Sequence, residues 1–355
     1  MTTYLHAANS SIPCRPRPIG AVRAWRRLVV GLTAMLLSAA LCAETAPKRC
    51  SYVKLSQLPL QSLPGGPYVE ASVNGKAAKF LVDTGGFKTS IATSFAERIG
   101  LPMRHSSAAG AGVGGVAQFY TALVDEFAIG SIRGKQMRMA VLDHAGSIEN
   151  YGGIIGADFL FQRDLELVLA ESSLRFFHPV DCADAFLAYW DKEADFVPLE
   201  SGNPNDARPM VTVSLNGKTL LALLDTGASI TIVDGAAAKA VGVSAESLAG
   251  SEQISLAGIG ARAVTARLGS FDSFSIGGET VQRPKIWVAD LNQNHQIDNN
   301  TMATAEFISK GPKVILGTDF LKAHRLLFAN SQNRLYFSYL GGHLFAKASK
   351  NPSAE

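Results

Sequence analysis

Leu81-Val82-Asp83-Thr84-Gly85 recurs 142 residues later as Leu223-Leu224-Asp225-Thr226-Gly227-Ala228, and the register of that repeat decides how the chain is read. Asn74-Gly75-Lys76 recurs in the same register as Asn216-Gly217-Lys218. Further on, Gly112 and Gly114 correspond to Gly258 and Gly260, and Ile129-Gly130 to Ile276-Gly277. Gly156-x-Asp158-Phe159-Leu160 then corresponds to Gly317-x-Asp319-Phe320-Leu321, and Leu174-Arg175-Phe176 to Leu335-Tyr336-Phe337. Blocks that keep their order at one long period mean two copies of a structural unit, the second with about 14 extra residues before its last blocks.

Each copy reads as short strands. Tyr68 to Val73 and Met210 to Leu215 alternate in polarity and run into Asn-Gly, a strong hairpin signal. Lys79 to Val82 and Leu220 to Leu224 are the returning strands, each delivering an aspartate to the end of a buried strand. Helical patterning is confined to Thr93 to Ile99, Gly235 to Val241 and the pieces opening at Asp158 and Asp319, with a connecting helix expected over Asp181 to Ala194. Gly202 to Arg208 is polar and turn-rich. The expected organisation is a leader over 1–43, lobes over 51–178 and 195–340, a connecting segment over 179–194 and a tail over 341–355.

The chain has 355 residues, of which 47% are hydrophobic and 18% charged, enough for a sizeable core and unlike a disordered polymer. Its formal charge is +3, but five arginines lie in the first 43 residues, which hold no acid, and without them the balance is −2. A phosphate-neutralising surface is therefore not expected, and no nucleic-acid partner. Arg23 to Arg27 followed by the uncharged run Leu28 to Ala43 has the shape of a signal peptide cut after Ala43. That implies a secreted or periplasmic protein with no membrane attachment after cleavage. Retention of the run as an anchor is the alternative, and translation from a start near Val22 would shorten the leader. Leu41 before Cys42 is bulky where a lipoprotein signal needs a small residue. An oxidising compartment lets Cys50 and Cys182 pair, the alternative being two unrelated thiols.

A single Asp-Thr-Gly is weak evidence, since an ordinary Asx turn explains it. Two copies in one register, each after an apolar strand and before a glycine-rich stretch, point to a site shared between the lobes. Glycine lets the backbone pass close to a carboxylate, and threonine supplies a hydroxyl that can lock the turn. If a pseudo-two-fold axis brings Asp83 and Asp225 together, the two carboxylates cannot both ionise easily, so one holds a proton while the other stays charged. Such a pair can activate a water and protonate a peptide carbonyl without a covalent intermediate, and the need for the shared proton favours mildly acidic conditions.

On these residues, together with Ile154-Ile155-Gly156 and Ile315-Leu316-Gly317, the sequence resembles the retropepsin-like (retroviral-type) aspartic proteases, here as two fused copies covering most of residues 56–340. The resemblance implies an all-β fold of two pseudo-symmetric retropepsin/pepsin-like barrel lobes with the cleft between them. It implies an aspartic endopeptidase acting on polypeptide substrate, with Asp83 and Asp225 catalytic. The divergence of the two copies suits a monomer, with dimerisation of lobes between chains as the alternative, and no motif calls for a cofactor or metal. Thr84, Gly85, Thr226 and Gly227 would support the active-site turns, the threonines bonding across the lobes. Gly112, Gly114, Gly258 and Gly260 fall where such a lobe carries its substrate-binding flap. The first motif departs from the family in continuing into Gly86, where alanine, serine or threonine is common, so the aspartates are expected to titrate unequally. Alternatives are a catalytically silent retropepsin-like scaffold that captures peptides and a hydrolase of another amide, such as a cell-wall crosslink.

Other candidates carry less. Asp158 and Asp319 are read as caps of short helices that also pair with the helix dipole. His105, His144, His178 and His324 share no ligand spacing and are not read as zinc ligands. Asp290 to Asp298 imitates a calcium loop, but His295 stands where glycine is needed and Thr301 where a bidentate glutamate belongs, so a solvated polar loop is expected.

Overall fold

A computed structural model describes residues 49–63, 65–142, 150–200, 205–260, 262–292 and 311–345. The leader, His144, the calcium-like residues 293–298, Thr301 and the tail beyond 345 lie outside the described residues.

The two Asn-Gly pairs make identical turns. Asn74 and Asn216 have φ of 48°, Gly75 and Gly217 have φ of 76°, the left-handed pair that a two-residue hairpin requires. Each asparagine side chain then fastens its turn to a neighbouring strand, Asn74 accepting from Glu126 N and Asn216 from Ser273 N, with Asp272 N just before it. The hairpins Gly66–Val73 with Lys76–Val82 and Met210–Leu215 with Lys218–Leu224 follow from these turns.

Each hairpin belongs to a sheet of the same plan. In the first copy Lys76–Val82 is flanked by Gly153–Ile155, then Ser90–Ala92, Ile132–Leu142, Gly115–Ile129 and Met103–Gly112. In the second, Lys218–Leu224 is flanked by Val314–Leu316, then Ile232–Asp234, Lys285–Ala289, Val264–Ser270 and Gln253–Leu256. The first sheet curls until Ala71 pairs with Ile129. The second does so through Ser214 and Ser275, because the long strands of the first copy are broken there into shorter ones. The strands that matter most read as unbroken apolar runs because both faces are buried. Phe80, Val82, Ile91, Ala222, Leu224, Val314 and Leu316 are all fully enclosed.

A third sheet of six strands joins the halves, taking three from each: Ser51–Pro59, Ser173–Val180 and Asp164–Val168, then His324–Ala329, Arg334–Tyr339 and Asp195–Pro198. Its seam is the antiparallel pairing of Leu165 with Phe328 and Leu167 with Leu326, whose side chains enter a core that runs through both halves. On the other face Glu166, fully buried, accepts from Arg175 Nη1 at 2.9 Å, Arg325 Nε at 2.6 Å and Tyr189 Oη at 2.8 Å. A buried carboxylate is tolerated only when so paired.

Residues 181–194 cross that outer face as a chain of turns, and the connecting helix expected there does not form. Leu187, Ala188 and Ala194 pack on Leu327, Ala329 and Tyr336 of the sheet, while Gln332 Nε2 binds the carbonyls of Cys182 and Ala185. These side chains meet the sheet at points that the strap reaches in an irregular path, so tertiary packing overrides the local pattern. Cys182, at the start of the strap, is disulfide-bonded to Cys50, which settles the choice between pairing and separate thiols.

Candidate active site

Asp83 and Asp225 stand at the carboxyl ends of Lys76–Val82 and Lys218–Leu224. Each strand is held by a parallel neighbour, Val82 opposite Ile155 and Leu224 opposite Leu316, and the aspartate amides continue the ladder onto the carbonyls of those same neighbours, at 3.0 and 2.9 Å. The apolar-apolar-Gly blocks therefore serve as the beds of the two turns.

The turns lock to one another through their threonines. Thr84 N donates to Thr226 Oγ1 and Thr226 N to Thr84 Oγ1, both at 3.0 Å. Each hydroxyl donates onward into the opposite strand, Thr84 Oγ1 to Leu224 O at 2.7 Å and Thr226 Oγ1 to Val82 O at 2.6 Å. Both threonines are fully buried. Four hydrogen bonds related by pseudo-symmetry thus fix the relative position of the halves where the carboxylates meet.

The glycines decide how close that meeting is. A Cβ on Gly85 would lie 2.3 Å from Asp225 Cγ, and one on Gly227 would lie 2.7 Å from Asp83 Cγ. Each carboxylate therefore rests against the glycine of the opposite turn, a place no other residue can occupy. Gly86 N donates to Asp83 Oδ1 at 2.8 Å, while Gly227 N and Ala228 N donate to Asp225 Oδ1 at 2.8 and 3.2 Å.

Electrostatics separates the two acids. Burial, then the charge of Asp225, holds the Asp83 carboxyl well above the usual carboxylate range. Burial also raises Asp225, but the hydrogen bond from Asp83, the amides of Gly227 and Ala228, and the Arg208 guanidinium all act against it. Asp83 is 7% exposed and Asp225 half-buried, so burial weighs more heavily on a charge at Asp83.

Two threonines that the motif reading passed over brace the beds. Thr89 N and Oγ1 donate to Asp158 Oδ1 at 2.7 and 2.8 Å, and the same hydroxyl accepts from Gly156 N at 3.1 Å. In the second copy Thr231 Oγ1 donates to Asp319 Oδ1 at 2.7 Å and accepts from Gly317 N at 3.1 Å. Thr89 and Thr231 keep the register of the Asp-Thr-Gly repeat, and that spacing is the signal that could have found them. The expected capping role of Asp158 and Asp319 is corrected accordingly. Helices Ala157–Leu160 and Thr318–Leu321 start one residue earlier, with glycine at the cap, and the aspartates, in the first turn, bind threonine.

The glycine-rich stretches are hairpin tips. Gly112 and Gly114 lie at the turn between Met103–Gly112 and Gly115–Ile129, Gly258 and Gly260 in the loop between Gln253–Leu256 and Val264–Ser270. The tips meet: Gly114 N donates to Ile259 O at 2.8 Å and Arg262 N to Gly114 O at 3.0 Å. Gly260, at φ 111°, leaves no room for a Cβ, which would lie 2.2 Å from the Gly114 carbonyl carbon. Val113 packs with the apolar group of the second copy that includes Ile230 and Ala228. Elsewhere, His324 is buried between Phe320 O and Glu279, His105 packs edge-on to Tyr120, and among the described residues no three His, Cys, Asp or Glu side chains gather as metal ligands would.

No curated protein matches the chain. Among solved structures that resemble it is the aspartic proteinase from Irpex lacteus, 15% identical, with a TM-score of 0.45 over 81% of this chain and 97% of that one. The sequence profile of a family described as aspartyl protease matches residues 69–159 and 211–320, and each segment contains one Asp-Thr-Gly turn with its apolar-apolar-Gly bed. The two segments span more than half of the sequence, and the chain belongs to the aspartyl protease family.

Proposed function

We propose that the protein is an aspartic endopeptidase that hydrolyses peptide bonds with a water activated between Asp83 and Asp225. The observation that carries this reading is the contact of each carboxylate with the glycine of the opposite turn, which brings two buried acids together at the junction of two halves. The charged member takes a proton from water as the water attacks the peptide carbonyl carbon, and the protonated member donates to the carbonyl oxygen. The two flap hairpins are proposed to close over an extended peptide and exclude bulk water. Arg23 to Arg27 and the apolar run after them support export through a signal peptide to the periplasm or beyond, with the protein acting as a monomer.

The test is digestion of an unfolded polypeptide at several pH values by the wild-type protein and by the Asp83→Asn and Asp225→Asn variants, with products read by mass spectrometry. Cleavage is expected in acid and absent from both variants. Cleavage that survives both substitutions would overturn the proposal. Binding of intact substrate without cleavage by the wild-type protein would favour a peptide-capturing scaffold.

A further inference from the structure

A charge beside the second Asp-Thr-Gly turn has no counterpart at the same place in the first copy. Arg208 lies 17 residues before Asp225, and Gly66 stands at the corresponding place in the first copy. Leu224 N donates to Pro209 O at 3.0 Å, which fastens the Arg208-Pro209 segment beside the end of the strand that bears Asp225. The guanidinium is held in place by Asp206, with Nε on Oδ1 at 2.9 Å and Nη2 on Oδ2 at 2.7 Å, and its side chain is 17% exposed. A cation fixed and shielded in this way acts on a neighbouring carboxylate more strongly than one in water. Gly66 offers Asp83 nothing comparable; its carbonyl accepts from Tyr151 Oη at 3.2 Å.

We propose that Arg208 is a positioning residue that assigns the roles of the two aspartates, holding Asp225 as the charged base and leaving the shared proton on Asp83. The proposal rests on the endopeptidase reading and specifies its proton traffic. As the water oxygen bonds to the carbonyl carbon, its proton passes to Asp225 and the Asp83 proton passes to the carbonyl oxygen, giving a neutral tetrahedral diol. As the C–N bond breaks, Asp225 returns its proton to the leaving nitrogen and Asp83 recovers one from a diol hydroxyl, which regenerates both acids. The groups that act on the pair are Arg208, Asp206 through Arg208, the amides of Gly85 and Gly86 on Asp83, and the amides of Gly227 and Ala228 on Asp225. The depression of Asp225 by Arg208 against its burial agrees in direction.

Two readouts on the full chain test this. In kcat/KM against pH on an unfolded peptide substrate, the acid limb reports ionisation of the base. Arg208→Gln is expected to move that limb to higher pH, lowering kcat/KM about three- to tenfold on the acid side with little change at the optimum. Arg208→Lys should restore most of it, and Asp206→Asn, which removes the neutralising partner, should move the limb the other way. The second readout needs no turnover: carbon-13 NMR of labelled aspartate carboxyls, assigned with Asp83→Asn and Asp225→Asn. Asp225 should titrate first from the acid side in the wild type and later in Arg208→Gln. A limb and an Asp225 titration that stay unmoved in a folded Arg208→Gln protein, or a wild type in which Asp83 ionises first, would overturn the assignment. If no form cleaves peptide, the endopeptidase reading fails, while the carboxyl titration still judges Arg208.

Discussion

Thr84 and Thr226 exchange hydrogen bonds reciprocally, each amide donating to the other's hydroxyl at 3.0 Å, so that the site and the junction of the two halves are one structure. The hydroxyls are fully buried, and removal of either strands an amide and a carbonyl with no water to replace it. Thr226→Ala is expected to cost about 2 to 4 kcal/mol, on the scale of two unsatisfied buried groups. Chemical denaturation of the variant beside the wild type measures it. A cost within error of zero would mean that the junction is held elsewhere.

Gly85→Ala places a Cβ inside the Asp225 carboxylate, and the backbone on both sides is locked by the threonines. The turn can yield only by moving the carboxylates apart, and a displacement of about 1 Å at a reacting centre costs on the order of a hundredfold in rate. Gly85→Ala and Gly227→Ala should therefore lose about a hundredfold or more in kcat/KM while keeping wild-type circular dichroism. Activity close to wild type in either would show that the pair need not approach so closely.

Burial and the neighbouring charge raise Asp83 above its unfolded value. Such a group favours the folded state in acid, and that contribution is lost as the pH rises through the elevated folded value. Asp83→Asn removes the titration and should melt higher than the wild type near about pH 7, the difference closing below about pH 4. Thermal melts across that range give the answer, and parallel curves for the two proteins would contradict it.

The braces share the same hydroxyl bonds but differ in burial. Asp319 is 6% exposed, whereas the Asp158 side chain is 32% exposed and also lies 3.6 Å from Lys88 Nζ. Asp319→Ala should then cost about 2 to 3 kcal/mol and Asp158→Ala about 1 kcal/mol or less, because water can reach the partners of the second. Equal losses would indicate that the braces are loaded alike.

The Cys50–Cys182 bridge closes a loop of 132 residues that contains the whole first copy. Replacing both cysteines by serine is expected to cost about 3 to 5 kcal/mol, mainly by freeing the unfolded chain. Denaturation of the double variant, with and without reductant, measures the loss.

The sequence alone carried the repeat, the hairpins at Asn74-Gly75 and Asn216-Gly217, the aspartate-bearing strands and the glycine-rich tips. Local chemistry dictates these: φ above zero at Asn-Gly, unbroken apolar runs where both faces are buried, and one register linking each motif to its copy. Thr89 and Thr231 were legible in the same register, though a single threonine has too many ordinary roles to stand out. Other features depend on contacts between segments far apart in the chain. The strap over 181–194 takes its path from the sheet beneath it, so its local helical pattern does not prevail. Asp158 and Asp319 bind threonines that the fold brings to them from 69 and 88 residues away. Arg208 comes beside the strand that bears Asp225 through the backbone bond from Leu224 N to Pro209 O, and a charge acts through distance, which the order of residues does not record.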